Sequence, residues 1–143
     1  VAILRIALVV DKKGGALKKI MKPIKLGLGS PLGTGQQYLP WIHIKDLCRM
    51  FIHCIAHKKE GAFNAANGYI SNEEFMKTIS KKMKKPFFFP AIPKPILTFF
   101  LGEMSSMLTE SLKVSNQKIK QNGFEFLFPD FDSAMANIVK NND

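Results

Sequence analysis

The residues best suited to chemistry lie together in the stretch 33–46, which reads G-T-G-Q-Q-Y-L-P-W-I-H-I-K-D. Trp41 and His43 alternate with two isoleucines as in a short strand, so the indole and the imidazole are predicted to share one face. An indole offers a stacking surface, and an imidazole titrates near neutral pH, so the pair could contact a ligand. The competing interpretation is a tryptophan packed under the glycine loop and a histidine hydrogen-bonded to the backbone.

The same stretch contains two glycines and an aspartate with structural interpretations. Gly33 and Gly35 predict a turn that uses positive φ, within a glycine-rich surface loop over residues 27–35. This loop is neither G-x-G-x-x-G nor G-x-x-x-x-G-K-[ST], so it is a weak signal for phosphate binding. Asp46 is predicted to be the N-cap of the next helix.

Two further pairs of residues have chemically suggestive spacing. His53 and His57 lie four apart on the polar side of that helix, but neither an H-E-x-x-H carboxylate nor a third metal ligand accompanies them. Solvated surface histidines are the favoured interpretation. Cys48 and Cys54 would lie about 9 Å apart along a helix, too far for a disulfide, so we predict reduced, partly buried thiols. No Ser-His-Asp order and no Tyr-x-x-x-Lys is visible, so the chain presents no convincing catalytic set.

The elements that position these residues follow from hydrophobic periodicity. The run V-A-I-L-R-I-A-L-V-V at residues 1–10 does not alternate, which predicts a strand of a parallel sheet buried on both faces. We expect its neighbours to come from sequence outside this chain. Another strand is predicted at 61–66, and a capping box at Ser71 and Glu74 begins a helix. The chain is therefore predicted to be α/β.

The segment 87–101, F-F-F-P-A-I-P-K-P-I-L-T-F-F-L, is strongly apolar. Its prolines and Lys94 prevent it from crossing a bilayer as one helix. Burial within its own domain is the favoured interpretation, and a membrane-surface or subunit-interface role is the alternative.

The length and the charge of the chain limit the classes of function that remain. The 143 residues suffice for one domain with a real core. The formal charge of +10 comes almost entirely from lysines on predicted helix surfaces, with only Arg5 and Arg49 as arginines, which disfavours nucleic-acid binding. The sequence contains no transmembrane segment and no signal-peptide layout, so a cytoplasmic location is expected.

Ordered motifs along the chain resemble a known family. L-R-I-A-L-V-V, G-G-A-L-K-K-I-M, G-L-G-S-P-L-G-T-G-Q-Q and W-I-H-I-K-D-L are followed by G-A-F-N-A-A-N, L-G-E-M and N-G-F-E-F. In this order they resemble the C-terminal half of an epimerase-like (NAD-dependent epimerase/dehydratase) family of atypical extended short-chain dehydrogenases/reductases. The resemblance covers essentially the whole chain.

The resemblance implies a Rossmann-like, doubly wound sheet in a parent protein about twice this long. Its missing N-terminal half would carry the glycine fingerprint for NAD or NADP and the Tyr-x-x-x-Lys pair, so this chain alone is expected to bind no cofactor and to be inactive. Residues 1–90 would be the substrate-side part and residues 91–143 a small α/β C-terminal module of unassigned function. Trp41 and His43 are carried over as wall residues of a small-molecule substrate pocket.

One departure bears on the substrate. Many nucleotide-sugar epimerases have an arginine two residues before the position of Trp41, where it grips the substrate diphosphate, and this chain has Leu39. Leucine cannot donate a charge-assisted hydrogen bond to a phosphate, which puts a nucleoside-diphosphate sugar in doubt. The chain's expected partners are the missing N-terminal half or a second copy in a homodimer. The alternative function is a small basic module that binds an acidic protein, RNA or a membrane surface.

Overall fold

The protein is described by a computed structural model over residues 1–140. The strands are β1 Ala2–Ile6, β2 Leu8–Val10, β3 Tyr38–His43, β4 Gly61–Ala65 and β5 Tyr69–Ser71. The helices are α1 Gly15–Lys25, α2 Ile44–Ala56, α3 Asn72–Lys82, α4 Lys94–Leu101, α5 Met104–Thr109, α6 Gln117–Gln121 and α7 Phe131–Lys140. This mixed composition confirms the α/β class.

The strands form two small sheets. β1 pairs in parallel with β4, whereas β3 lies between β2, to which it is parallel, and β5, to which it is antiparallel. The predicted strand at 1–10 is therefore interrupted at Ala7, whose backbone N–H donates to the carbonyl of Ala65 at 3.1 Å. The two halves of this apolar run thus serve different sheets.

Two apolar cores lie on opposite sides of β3. Trp41 belongs to the core formed with α1, α3 and α7, whereas Ile42 belongs to the core formed with α2, β4 and Ile119. This placement confirms the predicted alternation along the strand, since neighbouring side chains point to opposite faces.

A local signal sets the start of α3 as predicted, and an apolar stripe sets the buried face of α7. The Ser71 hydroxyl accepts from the backbone N–H of Glu74 at 3.3 Å and caps α3. Helix α7 buries four apolar residues on one face: Phe131, Ala134, Met135 and Ile138. The caps and stripes depend only on residues within one or two turns, which is why they are visible in the sequence.

The glycine loop before β3 has the conformation that its composition predicts. Gly33 and Gly35 have φ of 61° and 75°. Gly29 packs so tightly against the segment after α3 that an added Cβ would lie 2.6 Å from the carbonyl oxygen of Pro86. The loop is thereby held against residues 86–92.

Two apolar surfaces, on α2 and α4, are partly exposed in this chain. On α2, the apolar residues Leu47, Met50 and Cys54 are buried, whereas Phe51 and Ile55 are 44% and 76% exposed. In α4 only Leu97 is buried, while Phe99 and Phe100 are 85% and 75% exposed. The favoured interpretation of segment 87–101 as buried within its own domain is therefore wrong for these aromatic side chains. No helix within residues 1–140 is long and apolar enough to cross a membrane.

Candidate functional site

His43 lies at the junction of β3 and α2, where it is the N-cap of the helix. Its Nδ1 accepts from the backbone N–H of Lys45 at 3.0 Å, so the proton of the neutral ring is on Nε2, which lies 3.1 Å from Oδ1 of Asn137. The ring stacks on Phe128 at a centroid distance of 4.1 Å and is 2% exposed. Burial lowers the pKa of His43 below the ordinary 6.5, although the hydrogen bond to Asn137 and the charge of Asp46 oppose the shift.

These contacts limit the chemistry that His43 can do. Both ring nitrogens are engaged, and the lowered pKa favours the neutral imidazole at physiological pH. The residue therefore holds the helix start and the C-terminal helix α7 together. Moving a proton would require it to release Lys45 or Asn137 first.

Trp41 lies two residues earlier on the same strand face and is buried. Its indole meets the Phe131 ring edge-on at a centroid distance of 5.2 Å. Its backbone N–H donates to Gly68 and its carbonyl accepts from Asn67, at 3.3 Å and 2.7 Å. Trp41 thus ties β3 to the turn that follows β4, and its ring is part of the core.

The prediction that Asp46 is the N-cap of α2 is wrong. Asp46 is a buried carboxylate in the first turn of the helix. Its Oδ1 accepts from Arg49 at 2.8 Å and from the backbone N–H of Leu127 at 2.7 Å, while Oδ2 accepts from the N–H of Phe128 at 3.3 Å. His43 takes the N-cap position because its Nδ1 already meets the N–H of Lys45. Asp46 instead anchors the irregular segment 124–128 against the helix start.

A cavity opens beside His43 at one edge of the β2–β3 pair. Its volume is about 500 Å³, and five of its eight lining residues have charged or amide side chains: Asp11, Lys12, Lys13, Lys45 and Asn137. Residues 11–13 directly follow β2, and Lys45 follows the parallel strand β3 by two residues. The carboxyl ends of parallel strands in α/β sheets are where ligands bind. The cavity therefore has the position and size of a small-molecule site.

The histidine and cysteine pairs have structural partners. His53 donates from Nε2 to the carbonyl of Asn122 at 3.0 Å, and His57 donates from Nδ1 to the carbonyl of His53 at 2.9 Å. Among residues 1–140, no group of three metal-ligating side chains is present. Cys48 and Cys54 are free thiols; Cys48 is exposed, and burial raises the pKa of Cys54.

The structure brings His43 to the cavity but places Trp41 in the core behind it. The basic cluster after β2 was missed in the sequence because Lys12 and Lys13 look like ordinary loop residues. The signal that locates this cluster is that the two lysines immediately follow a strand whose parallel neighbour ends at His43, which requires knowledge of the strand pairing. That neighbour could not be inferred from local pattern alone.

Comparisons with known proteins agree with this architecture. A family described as "Domain of unknown function (DUF1731)" matches residues 92–138. The chain is 31% identical over 140 residues to the mouse epimerase family protein SDR39U1, covering 96% of this chain and 47% of the relative. It is 36% identical over 138 residues to the epimerase family protein SERP0438 of Staphylococcus epidermidis, covering 95% of the chain and 46% of that protein.

A solved structure matches equally well. The crystal structure of human epimerase family protein SDR39U1 (isoform2) with NADPH superposes with a TM-score of 0.90 at 31% identity, covering 98% of this chain and 48% of that one. The chain spans about half the length of the curated relatives it matches. Over nearly its whole length the chain is thus similar to part of the epimerase family proteins SDR39U1 and SERP0438, and it has the α/β fold of the matched part of the SDR39U1 structure.

Proposed function

We propose that the chain is the substrate-side part of an NAD(P)-dependent epimerase or oxidoreductase of the short-chain dehydrogenase/reductase type. The cofactor fingerprint and the Tyr-x-x-x-Lys pair would belong to sequence outside these 143 residues. By this proposal the chain alone is inactive and completes a pocket whose hydride chemistry occurs on the other half.

The observation that carries this proposal is the incomplete parallel pair β1–β4. Within residues 1–140, β1 pairs with β4 on one edge and with no strand on the other. Ile3 and Ile6, at 57% and 50% exposed, leave its apolar surface open to solvent. Parallel sheets are normally covered on both faces and do not leave long apolar edges exposed, so β1 requires a neighbour. Relatives of about twice the length have the residues to provide one.

The residues present do not fit a dinucleotide by themselves. Among residues 1–140, the β2–α1 connection places glycines between a parallel strand and a helix, but its D-K-K-G-G lacks the three-glycine turn that holds a pyrophosphate. We therefore assign no cofactor contact to this chain.

The substrate side of the proposal rests on the cavity at the carboxyl ends of β2 and β3. Lys12, Lys13 and Lys45 outnumber Asp11 there, which favours an anionic or strongly polar substrate. His43 would form the wall and keep α2 and α7 in place around it. Trp41 would act indirectly, as packing that holds β3 in position.

The division of the chain also remains a proposal. Residues 1–90 would form the substrate-side part and residues 91–143 the C-terminal module. The apolar core of α1 and α3 includes Leu97, Leu108 and α7 residues, so the two parts would share packing. This arrangement predicts that residues 1–90 do not fold stably without the module.

The decisive experiment compares the 143-residue chain with a chimera. In the chimera, the part of human SDR39U1 that this chain does not match precedes the chain. NADPH binding is measured by the change in its fluorescence. We expect micromolar or tighter binding by the chimera and none by the chain alone.

Two results would contradict the proposal. Tight NADPH binding by the isolated chain would show that the cofactor site lies within it. A well-folded chimera that binds no NADPH would show that this chain does not complete the cofactor-binding protein.

A further inference from the structure

A second cavity lies between α1, α4 and the loop before β3. Its volume is about 530 Å³, and it shares no lining residue with the cavity at His43. The floor consists of side chains that are themselves buried in the core: Ile20, Leu32, Met76 and Leu97. A floor of packed core residues gives the cavity a stable apolar surface.

The mouth combines apolar and cationic groups. Ile96 and Phe100 of α4 line it and are 47% and 75% exposed. Lys19 and Lys22 line it from α1, where a spacing of three residues puts them on one side of the helix. Neither lysine makes an ion pair with any residue in the described range, and α1 contains no acidic residue.

We propose that this cavity binds an amphipathic small molecule with an apolar body and a single anionic head group, of which a medium-chain carboxylate is the simplest representative. The floor would remove the apolar body from water, which is favourable in proportion to the area buried. Lys19 and Lys22 would hold the head group at the mouth. The charge of the mouth selects an anion, since no carboxylate side chain lines the cavity.

This site does not rest on the proposed function. Most of its residues belong to α1 and α4, whereas the cavity of the proposed substrate lies at the carboxyl ends of β2 and β3. NADPH binding by the chimera tests the proposed function, and carboxylate binding by the 143-residue chain tests the second cavity. Either can fail without the other.

The test is calorimetric titration of the chain with hexanoate, octanoate and decanoate. We expect saturable binding of one molecule per chain, with affinity rising by up to about fourfold for each buried methylene. Decanol and decylamine have the same apolar body with a neutral or cationic head, and both should bind more weakly than decanoate.

Two pairs of variants locate the binding. The double substitution Lys19→Gln and Lys22→Gln should weaken decanoate binding by about three- to tenfold, the size expected for two exposed ion pairs. Lys18→Gln with Lys25→Gln removes the same charge from the same helix away from the cavity and should leave the affinity unchanged. Ile96→Ser should weaken binding by about fivefold through lost apolar contact. Ile55→Ser, an exposed isoleucine elsewhere, should not.

Three outcomes would overturn the assignment. Decanoate binding that is unchanged in both Lys19→Gln/Lys22→Gln and Ile96→Ser would place the ligand elsewhere. Decylamine binding as tightly as decanoate would remove the role of charge. A concentration-dependent dimer that Ile96→Ser dissociates, without carboxylate binding, would identify a second copy as the occupant.

Discussion

Two surfaces of α2 differ in how well their side chains are covered. One is the junction of α2 with β3, and the other is the outer surface that α2 forms with β1. We call the first the closed junction, formed by His43, Asp46, Phe128 and Asn137, in which each buried polar side chain has partners. We call the second the open face, a set of exposed apolar side chains: Ile3, Ile6, Phe51, Ile52 and Ile55. The same helix α2 contributes to both.

This difference shows which parts of the chain are self-sufficient. The partners that complete the closed junction lie 81 and 94 positions further along the same chain. This chain can therefore form the closed junction without a second chain. The open face has apolar surface for which residues 1–140 provide no cover. We therefore expect substitutions in the closed junction to affect stability and substitutions in the open face to affect association.

The largest effect is expected from Asp46→Ala. The substitution leaves the N–H groups of Leu127 and Phe128 without their acceptor and removes the partner of Arg49. Hydrogen bonds to a buried charged group are among the costliest to lose, so the free energy of unfolding should fall by about 3 kcal/mol. Urea unfolding measures this change in the free energy of unfolding. Asp132→Ala is the matched control, because its ion pair with Lys82 is exposed and should contribute less than about 1 kcal/mol.

If Asp46→Ala lowers the free energy of unfolding no more than Asp132→Ala does, the contrast between the closed junction and the open face does not hold. It would show that segment 124–128 is held by its phenylalanines and not by the carboxylate. The closed junction would then depend on apolar packing, as the rest of the core does.

A smaller and pH-dependent effect is expected from His43. Its pKa is lower in the folded protein than in the unfolded chain, so below the ordinary value of 6.5 the unfolded state binds more protons. The free energy of unfolding should therefore be highest above pH 6.5 and fall as the pH is lowered through that value. His43→Asn retains a side chain that can cap α2 but cannot titrate, and should flatten this dependence.

Urea unfolding between about pH 5 and 8 checks this expectation, a range that spans the ordinary histidine titration. His57→Asn, which replaces the exposed histidine at the C-cap of the same helix, is the matched control. An unchanged profile in His43→Asn would show that another group controls the pH dependence.

The smallest effect on stability is expected at the open face. Ile52→Lys with Ile55→Lys alters side chains that are 66% and 76% exposed, so the free energy of unfolding should change by less than about 0.5 kcal/mol. Light scattering should show less self-association, because the apolar surface is interrupted. Ile42→Ala, in the core beneath the same helix, should instead cost about 2–5 kcal/mol. A large loss of stability from the lysine pair would mean that the open face is covered within this chain.

Much of the fold was predictable from local pattern. The alternation of Trp41 and Ile42 about β3, the Ser71 cap of α3 and the buried stripe of α7 each depend on residues a few positions apart. Of the candidate site, the sequence indicated His43 and its strand. It did not indicate the cavity, whose basic residues come together only because β2 and β3 run in parallel.

The failures share one physical cause. Asp46 was expected to cap α2 because aspartate near a helix start usually does so, but a carboxylate accepts from whichever donors reach it. Its donors lie in segment 124–128, which no local pattern could place beside residue 46. The phenylalanines of α4 were expected to be buried because they are apolar, yet burial requires a covering surface as well as an apolar side chain.

By itself, the sequence determined the α/β class, the helix and strand periodicities, the turns at Gly33 and Gly35 and the likeness to an epimerase family. Those properties follow from backbone sterics and the spacing of apolar residues. Only the tertiary structure decided that His43 caps α2 while Asn137 holds its other nitrogen, and that two cavities with no lining residue in common form in this chain. These features depend on contacts between distant residues, which local propensity does not encode.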